Sequence, residues 1–146
     1  MTAPSRASDL YFVQEPVGEM ANLAYLIGSH ATREALLVDP AWDVESLLAR
    51  AERDGIRVVG ALATHYHQDH IGGSIFGMSI EGLARLMELS PMPVHVHARE
   101  AEGVRRVTGL SASDLVAHEG GDEIALGGLR IRLLHTPGHT PGSQCF

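Results

Sequence analysis

Thr64-His65-Tyr66-His67-Gln68-Asp69-His70-Ile71-Gly72-Gly73 follows directly on the apolar run Val58-Val59-Gly60-Ala61-Leu62-Ala63. The run reads as a buried strand, and the two glycines release the backbone beyond it. Three histidines and an aspartate are thereby delivered at a strand end. His65 and His67 lie two apart, so in extended backbone their imidazoles project to the same side and can meet one ion. Asp69 and His70 are neighbours, which in extended or turning backbone point apart, so they are expected to reach a second position. Imidazole nitrogen and carboxylate oxygen suit borderline ions such as zinc, and catalytic sites keep one position open for water. No cysteine lies near, which argues against a closed thiolate site.

A second histidine loop, His135-Thr136-Pro137-Gly138-His139-Thr140-Pro141-Gly142-Ser143, follows Leu129-Arg130-Ile131-Arg132-Leu133-Leu134. The alternation of that run is that of a strand with one buried face. Two Pro-Gly pairs fix the turns around His139, so its imidazole can be aimed with little conformational entropy left to lose. His135 reads as the last residue of the strand.

Together the two loops resemble the metallo-beta-lactamase superfamily, and within it the branch of glyoxalase II-like thioester hydrolases and persulfide dioxygenases. The matching residues run from Thr64 to Gly73 and from His135 to Ser143, with the strand end Val38-Asp39-Pro40 upstream. The resemblance implies an α+β chain of four-layer αββα architecture. It places His65, His67 and His139 on a first metal, Asp69 and His70 on a second, and Asp39 beside them as a support. It also implies zinc, two ions in an intact site, with iron or manganese accepting the same ligands. The expected reaction is hydrolysis of a small-molecule thioester by a metal-bound hydroxide, as in hydroxyacylglutathione hydrolase, with Asp69 as the catalytic residue that helps orient the hydroxide. A persulfide dioxygenase with a single iron is the close alternative.

In this family a bridging aspartate and a last histidine come after the His-Thr-Pro-Gly-His loop, whereas this sequence ends at Gln144-Cys145-Phe146. The expectation is one domain over 1–146, truncated at its carboxyl end and supplying mainly the amino-terminal half of the fold. A non-catalytic metal-binding fragment is therefore a third reading. An exposed sheet face is expected as well, covered by a second copy of the chain, by a missing remainder or by aggregation.

Composition agrees with a globular domain: 45% hydrophobic and 20% charged residues in 146. The net charge is -7, all eleven basic residues are arginines, and no basic stripe forms. Nucleic acid is not expected as a partner, and without lysine Schiff-base chemistry is excluded. Cys145 is the sole cysteine and reads as a strand residue. Met1 to Asp9 lacks the apolar core of a signal peptide, and no run reaches the length of a membrane span, so no membrane partner and a cytoplasmic setting are expected.

Leu10 to Gln14, Asn22 to Ile27 and Ala35 to Asp39 read as a meander that opens a sheet. His30, in the turn between the second and third strands, reads as a solvated loop residue. Asp43 caps a helix from Val44 to Arg53, which feeds the strand Ile56 to Ala63 and the first loop. A second helical pattern carries Ile80, Leu83, Ala84, Leu86 and Met87 and stops at Pro91-Met92-Pro93, and a third runs from Ala98 to Val107. Val94-His95-Val96-His97 repeats the i, i+2 histidine spacing but has no acidic partner in a following loop, so it is not read as a site. His118 has no visible role. Gly127-Gly128 turns a hairpin between Glu123 to Leu126 and Leu129 to Leu134.

Overall fold

The computed structural model describes residues 9–146. The stretch Met1 to Ser8, most of the segment read above as lacking a signal-peptide core, lies outside them. Strands β1 (Leu10–Val17), β2 (Asn22–Ser29) and β3 (Glu34–Val38) form the expected antiparallel meander. β1 runs beyond Gln14 through Pro16, which pairs with Leu23. As an edge strand, β1 tolerates a residue with no N–H to donate. Helix α1 (Val44–Arg53) then crosses to β4 (Arg57–Leu62), which pairs parallel to β3. Asp43 caps α1 by accepting from the Ser46 amide at 3.1 Å, and Val44, Leu47 and Ala51 bury its apolar stripe.

The first histidine loop departs from extended backbone at His67, where the short helix α2 (Gln68–Ile71) begins. Next comes a small hairpin, β5 (Gly73–Ile75) and β6 (Met78–Ile80), that the sequence pattern did not reveal. Ile80 is buried, as the helical reading required, but from a strand. The helix itself, α3 (Leu83–Leu89), starts three residues later because the backbone at Gly82 runs against Ile71, where an added Cβ would lie 1.9 Å from the Ile71 carbonyl oxygen. β7 (Val94–His97), α4 (Ala101–Thr108) and β8 (Leu115–His118) complete the main sheet, with spatial order β1-β2-β3-β4-β7-β8. β8 was missed in the sequence, since a four-residue edge strand with no fully buried position carries no periodic signal. The hairpin β9 (Glu123–Leu126) and β10 (Leu129–Arg132) and the short pair β11 (Leu134–His135) and β12 (Gln144–Cys145) follow.

Successive residues of β3 point to opposite faces, and this alternation divides the core in two. Ala35 and Leu37 face a cluster to which α1, α2, α3 and α4 contribute, through Leu47, Ile71, Leu83 and Val104 among others. Leu36 and Val38, with Leu62 of β4, face a second cluster closed by Leu126 of β9, Ile131 of β10 and Leu133 just beyond it. Among the described residues the chain is thus α+β, with helices on one face of a mixed sheet and the β9–β10 hairpin on the other. The second face is only partly covered. An apolar groove of about 430 Å³ lies between Leu10 and Phe12 of β1 and the β9–β10 hairpin, and Phe12 is 55% exposed.

Candidate metal centre

Both histidine loops arise at strand ends on one edge of this layered core. Val38 and Leu62 end neighbouring parallel strands, so Asp39 and Thr64 come side by side just beyond them. Asp39 adopts φ of 50°, a left-handed conformation that aspartate tolerates better than most residues. Its Oδ1 accepts from the Thr64 amide at 2.8 Å, and its Oδ2 accepts from the Thr64 hydroxyl at 2.6 Å and faces His70 Nδ1 at 3.1 Å. Since a carboxylate can only accept, the Thr64 hydroxyl proton is spent on Asp39, and Thr64 Oγ1, 2.8 Å from His65 Nδ1, is left to accept from that ring. The proton of His65 therefore sits on Nδ1, and the lone pair of Nε2 is free. The same carboxylate takes the Nδ1 proton of His70, whose Nε2 faces the Asn22 Nδ2 amide at 3.4 Å.

His65 is buried, and its Nε2 has no hydrogen-bond partner among the described residues. Such an orphan is costly unless something outside the protein meets it. One ligand atom from each of His65, His67 and His139 lies within 4.8 Å of the others, and the rings stand nearly perpendicular at interplanar angles of 72–84°. Burial, reinforced by the neighbouring His70, pushes His65 down to about 4 from its ordinary value, so its ring is neutral at neutral pH. Three imidazoles facing one point, one of them neutral and with a buried unpartnered nitrogen, fit a metal ion. His139 reaches the point from an exposed turn held by Thr136 N to Ser143 O at 2.8 Å and Thr140 N to Ser143 Oγ at 3.0 Å.

A second donor set lies on the other side of His65. One ligand atom each of Asp39, His65 and His70 falls within 4.8 Å, although Asp39 is already committed to Thr64 and His70. Asp69 and His70 do not point apart, contrary to the expectation from extended backbone. The helical turn α2 brings Asp69 Oδ2 to 3.5 Å from His70 Nε2. Burial raises the Asp69 carboxyl, but the hydrogen bond from Asn22 Nδ2 at 2.9 Å and the nearby His70 outweigh it and leave it below the usual range. The hydrogen bond to Asp39 raises His70 against the effect of burial. A shallow cleft of about 400 Å³ opens here, lined by Met20, Leu23, Tyr25, Thr64 and His70.

The family model of the metallo-beta-lactamase superfamily matches residues 17–146. The chain belongs to this superfamily. Membership implies a metal, and the histidine triad described above is present. The chain is 33% identical over 125 residues to a hydroxyacylglutathione hydrolase of Gloeobacter violaceus, covering 86% of this chain and 43% of that protein. To the human mitochondrial persulfide dioxygenase ETHE1 it is 32% identical over 133 residues, covering 90% and 44%. The crystal structure of ETHE1 from Myxococcus xanthus superposes with a TM-score of 0.70 at 30% identity, covering 92% of this chain and 52% of that one. The chain thus spans under half the length of these two curated relatives.

The superfamily chain brings together all five residues singled out from sequence: His65, His67 and His139 on one side, Asp69 and His70 on the other. His135 ends β11 as expected, and His95 and His97 lie within β7, away from both sets. Two contributors escaped the sequence reading. Asn22, read only as the first residue of a strand, holds Asp69, and Trp42 Nε1 donates to the Asp69 carbonyl at 3.0 Å. Their partners lie 47 and 27 residues away, so no local pattern could have announced them. No helix among the described residues is long and apolar enough to cross a membrane.

Proposed function

We propose that the chain carries the metal centre of a thioester hydrolase resembling hydroxyacylglutathione hydrolase. The observation that carries this reading is the pair of adjacent donor sets with their far-side protons already fixed. His65, His67 and His139 would hold one divalent ion, and Asp69 and His70 a second. The imidazole and carboxylate donors suit zinc, and iron or manganese are also compatible. Such ions supply Lewis acidity toward a thioester carbonyl and lower the pKa of water.

The chain's own residues perform the positioning. Asp39 and Thr64 keep the His65 lone pair inward, and Asp39 does the same for His70. Asp69, ionised and held by Asn22, is placed to accept a hydrogen bond from water entering beside His70 and so to orient it. The cleft beside Met20 and Tyr25 is the proposed seat of a small-molecule thioester. The test is metal analysis of the protein alongside hydrolysis of a hydroxyacyl-glutathione thioester. Bound metal with turnover that His67→Ala abolishes is expected, whereas unchanged turnover in that variant overturns the assignment.

The nearly equal identity to a persulfide dioxygenase supports a second reading, a single iron at the same loops. Iron as the metal found, with oxygen uptake on a glutathione persulfide and no thioester turnover, would select it.

A further inference from the structure

Glu100 is a carboxylate with 1% exposure, and among the described residues no cation pairs with it. It lies just before α4, on neither histidine loop, yet both loops donate to it. Its Oε1 accepts from the amide of Tyr66, the residue between His65 and His67, at 3.1 Å, and also from the Thr140 hydroxyl beside His139. Its Oε2 accepts from the Gly142 amide at 3.2 Å. A Cβ added at Gly142 would lie 2.7 Å from Glu100 Cγ, so the second loop approaches as closely as a backbone without a side chain allows. The first loop is pressed on the same helix, because the Tyr66 ring occupies the space a side chain at Gly103 would need.

We propose that Glu100 is a positioning residue of the metal centre, a buried carboxylate that locks the loop carrying His139 to the loop carrying His65 and His67. This rests on the metal reading above. Burying a charge is unfavourable unless each lone pair is met, and three donors from two loops meet this one. Ligands on separate flexible loops would have to be ordered when an ion arrives. Loops already bridged have that ordering done in the metal-free protein. Gln144 makes a companion tie nearby, donating from Nε2 to the Ala63 carbonyl at 3.0 Å and from its amide to the Thr64 carbonyl at 3.1 Å. That tie fixes the root of the first loop, while Glu100 acts between the ligands themselves.

Glu100→Gln keeps the shape but turns one oxygen into an amide donor, which must face the Gly142 N–H or the pair of donors from Tyr66 and Thr140. Thr140→Val removes a single bond with little change of volume. Cobalt(II) titration with chelator competition reads the effect, since its visible spectrum reports the ligand geometry. Hydrogen exchange of the Tyr66 and Gly142 amides in the metal-free protein gives a second reading that needs no metal.

In Glu100→Gln we expect cobalt affinity to fall about 10- to 100-fold, as for loss of other outer-sphere partners, with an altered spectrum and faster exchange at Gly142. Thr140→Val should fall less, in the same direction. Wild-type affinity and spectrum in a folded Glu100→Gln protein overturn the proposal; should that variant not fold, unchanged affinity in Thr140→Val does so. Failure of the unsubstituted protein to bind cobalt would overturn the metal reading itself, and this inference with it.

Discussion

His65, His67, His70 and His139 surround one opening, whereas His95, His97, His118 and His135 meet where β7, β8 and β11 converge. The pairs His65/His67 and His95/His97 have identical spacing, so the difference lies in what their neighbours do with protons and lone pairs. In the first cluster, oxygen acceptors take the far-side protons of His65 and His70. The His65 Nε2 lone pair faces inward without a partner among the described residues, and His70 Nε2 meets only the long contact from Asn22 Nδ2 at 3.4 Å. In the second, Asp122 takes the His118 Nδ1 proton at 3.2 Å, but the lone pair this exposes on Nε2 is met by His95 Nδ1 at 2.8 Å. His97 Nδ1 accepts from the Arg99 amide at 3.0 Å, so its buried Nε2 is a donor and not a lone pair; it too lacks a hydrogen-bond partner among the described residues, with Glu119 3.8 Å away. His135 stacks flat on His97 at 4.1 Å and donates to the Pro141 carbonyl at 2.9 Å. Histidine number and spacing do not make a metal site; the tautomers imposed by neighbouring groups do.

The comparison breaks most directly on ligand deletion. His139→Ala or His67→Ala should weaken metal binding by more than the roughly 100-fold that loss of an outer-sphere partner costs, while His95→Phe should leave it unchanged. Equilibrium dialysis with zinc reads both. Equal losses in the two clusters would erase the distinction.

Asp39→Asn is the next largest effect. The substituted amide presents a donor to Thr64 or to His70, so the tautomers of His65 and His70 are no longer both fixed. Metal affinity should drop about 10- to 100-fold, and the metal-free protein should lose about 1–3 kcal/mol for a buried donor left unmet, read by urea denaturation.

How far this contrast can be read from sequence follows from the range of the interactions. The strands, α1 and both loops are legible because periodicity, a capping aspartate and Pro-Gly turns are local signals. The His65-x-His67 pair differs in sequence from His95-x-His97 only through Asp69 and His70, two and three residues beyond His67. The turn of α2 that swings Asp69 onto His70 was not legible, since extended and helical backbone were equally open to Gln68-Asp69-His70. Asn22, Trp42 and Glu100 act through partners far away in the chain, and the pairing of β8 with β7, which sets His118 against His95, exists only in the folded sheet.

The smallest effect is in pH dependence. Burial, with His118 adding to it, pushes His95 down to about 4. As pH falls below the ordinary value near 6.5, the unfolded chain takes up a proton that folded His95 refuses until about 4. Its contribution to stability is therefore lost progressively across that window as pH falls. His65 acts in the same direction in the metal-free protein. His95→Phe should flatten, without abolishing, the fall in stability between neutral pH and pH 5, measured by denaturation in the presence of chelator; an undiminished slope would show that His95 does not carry this term.

The most direct test of the central claim is a metal titration of the protein followed by the imidazole NMR signals of all nine histidines. With zinc below one equivalent, the signals of His65, His67 and His139 should move first, and those of His95, His97 and His118 should stay in place. Movement of the second cluster ahead of the first, or no movement of either, would contradict the account.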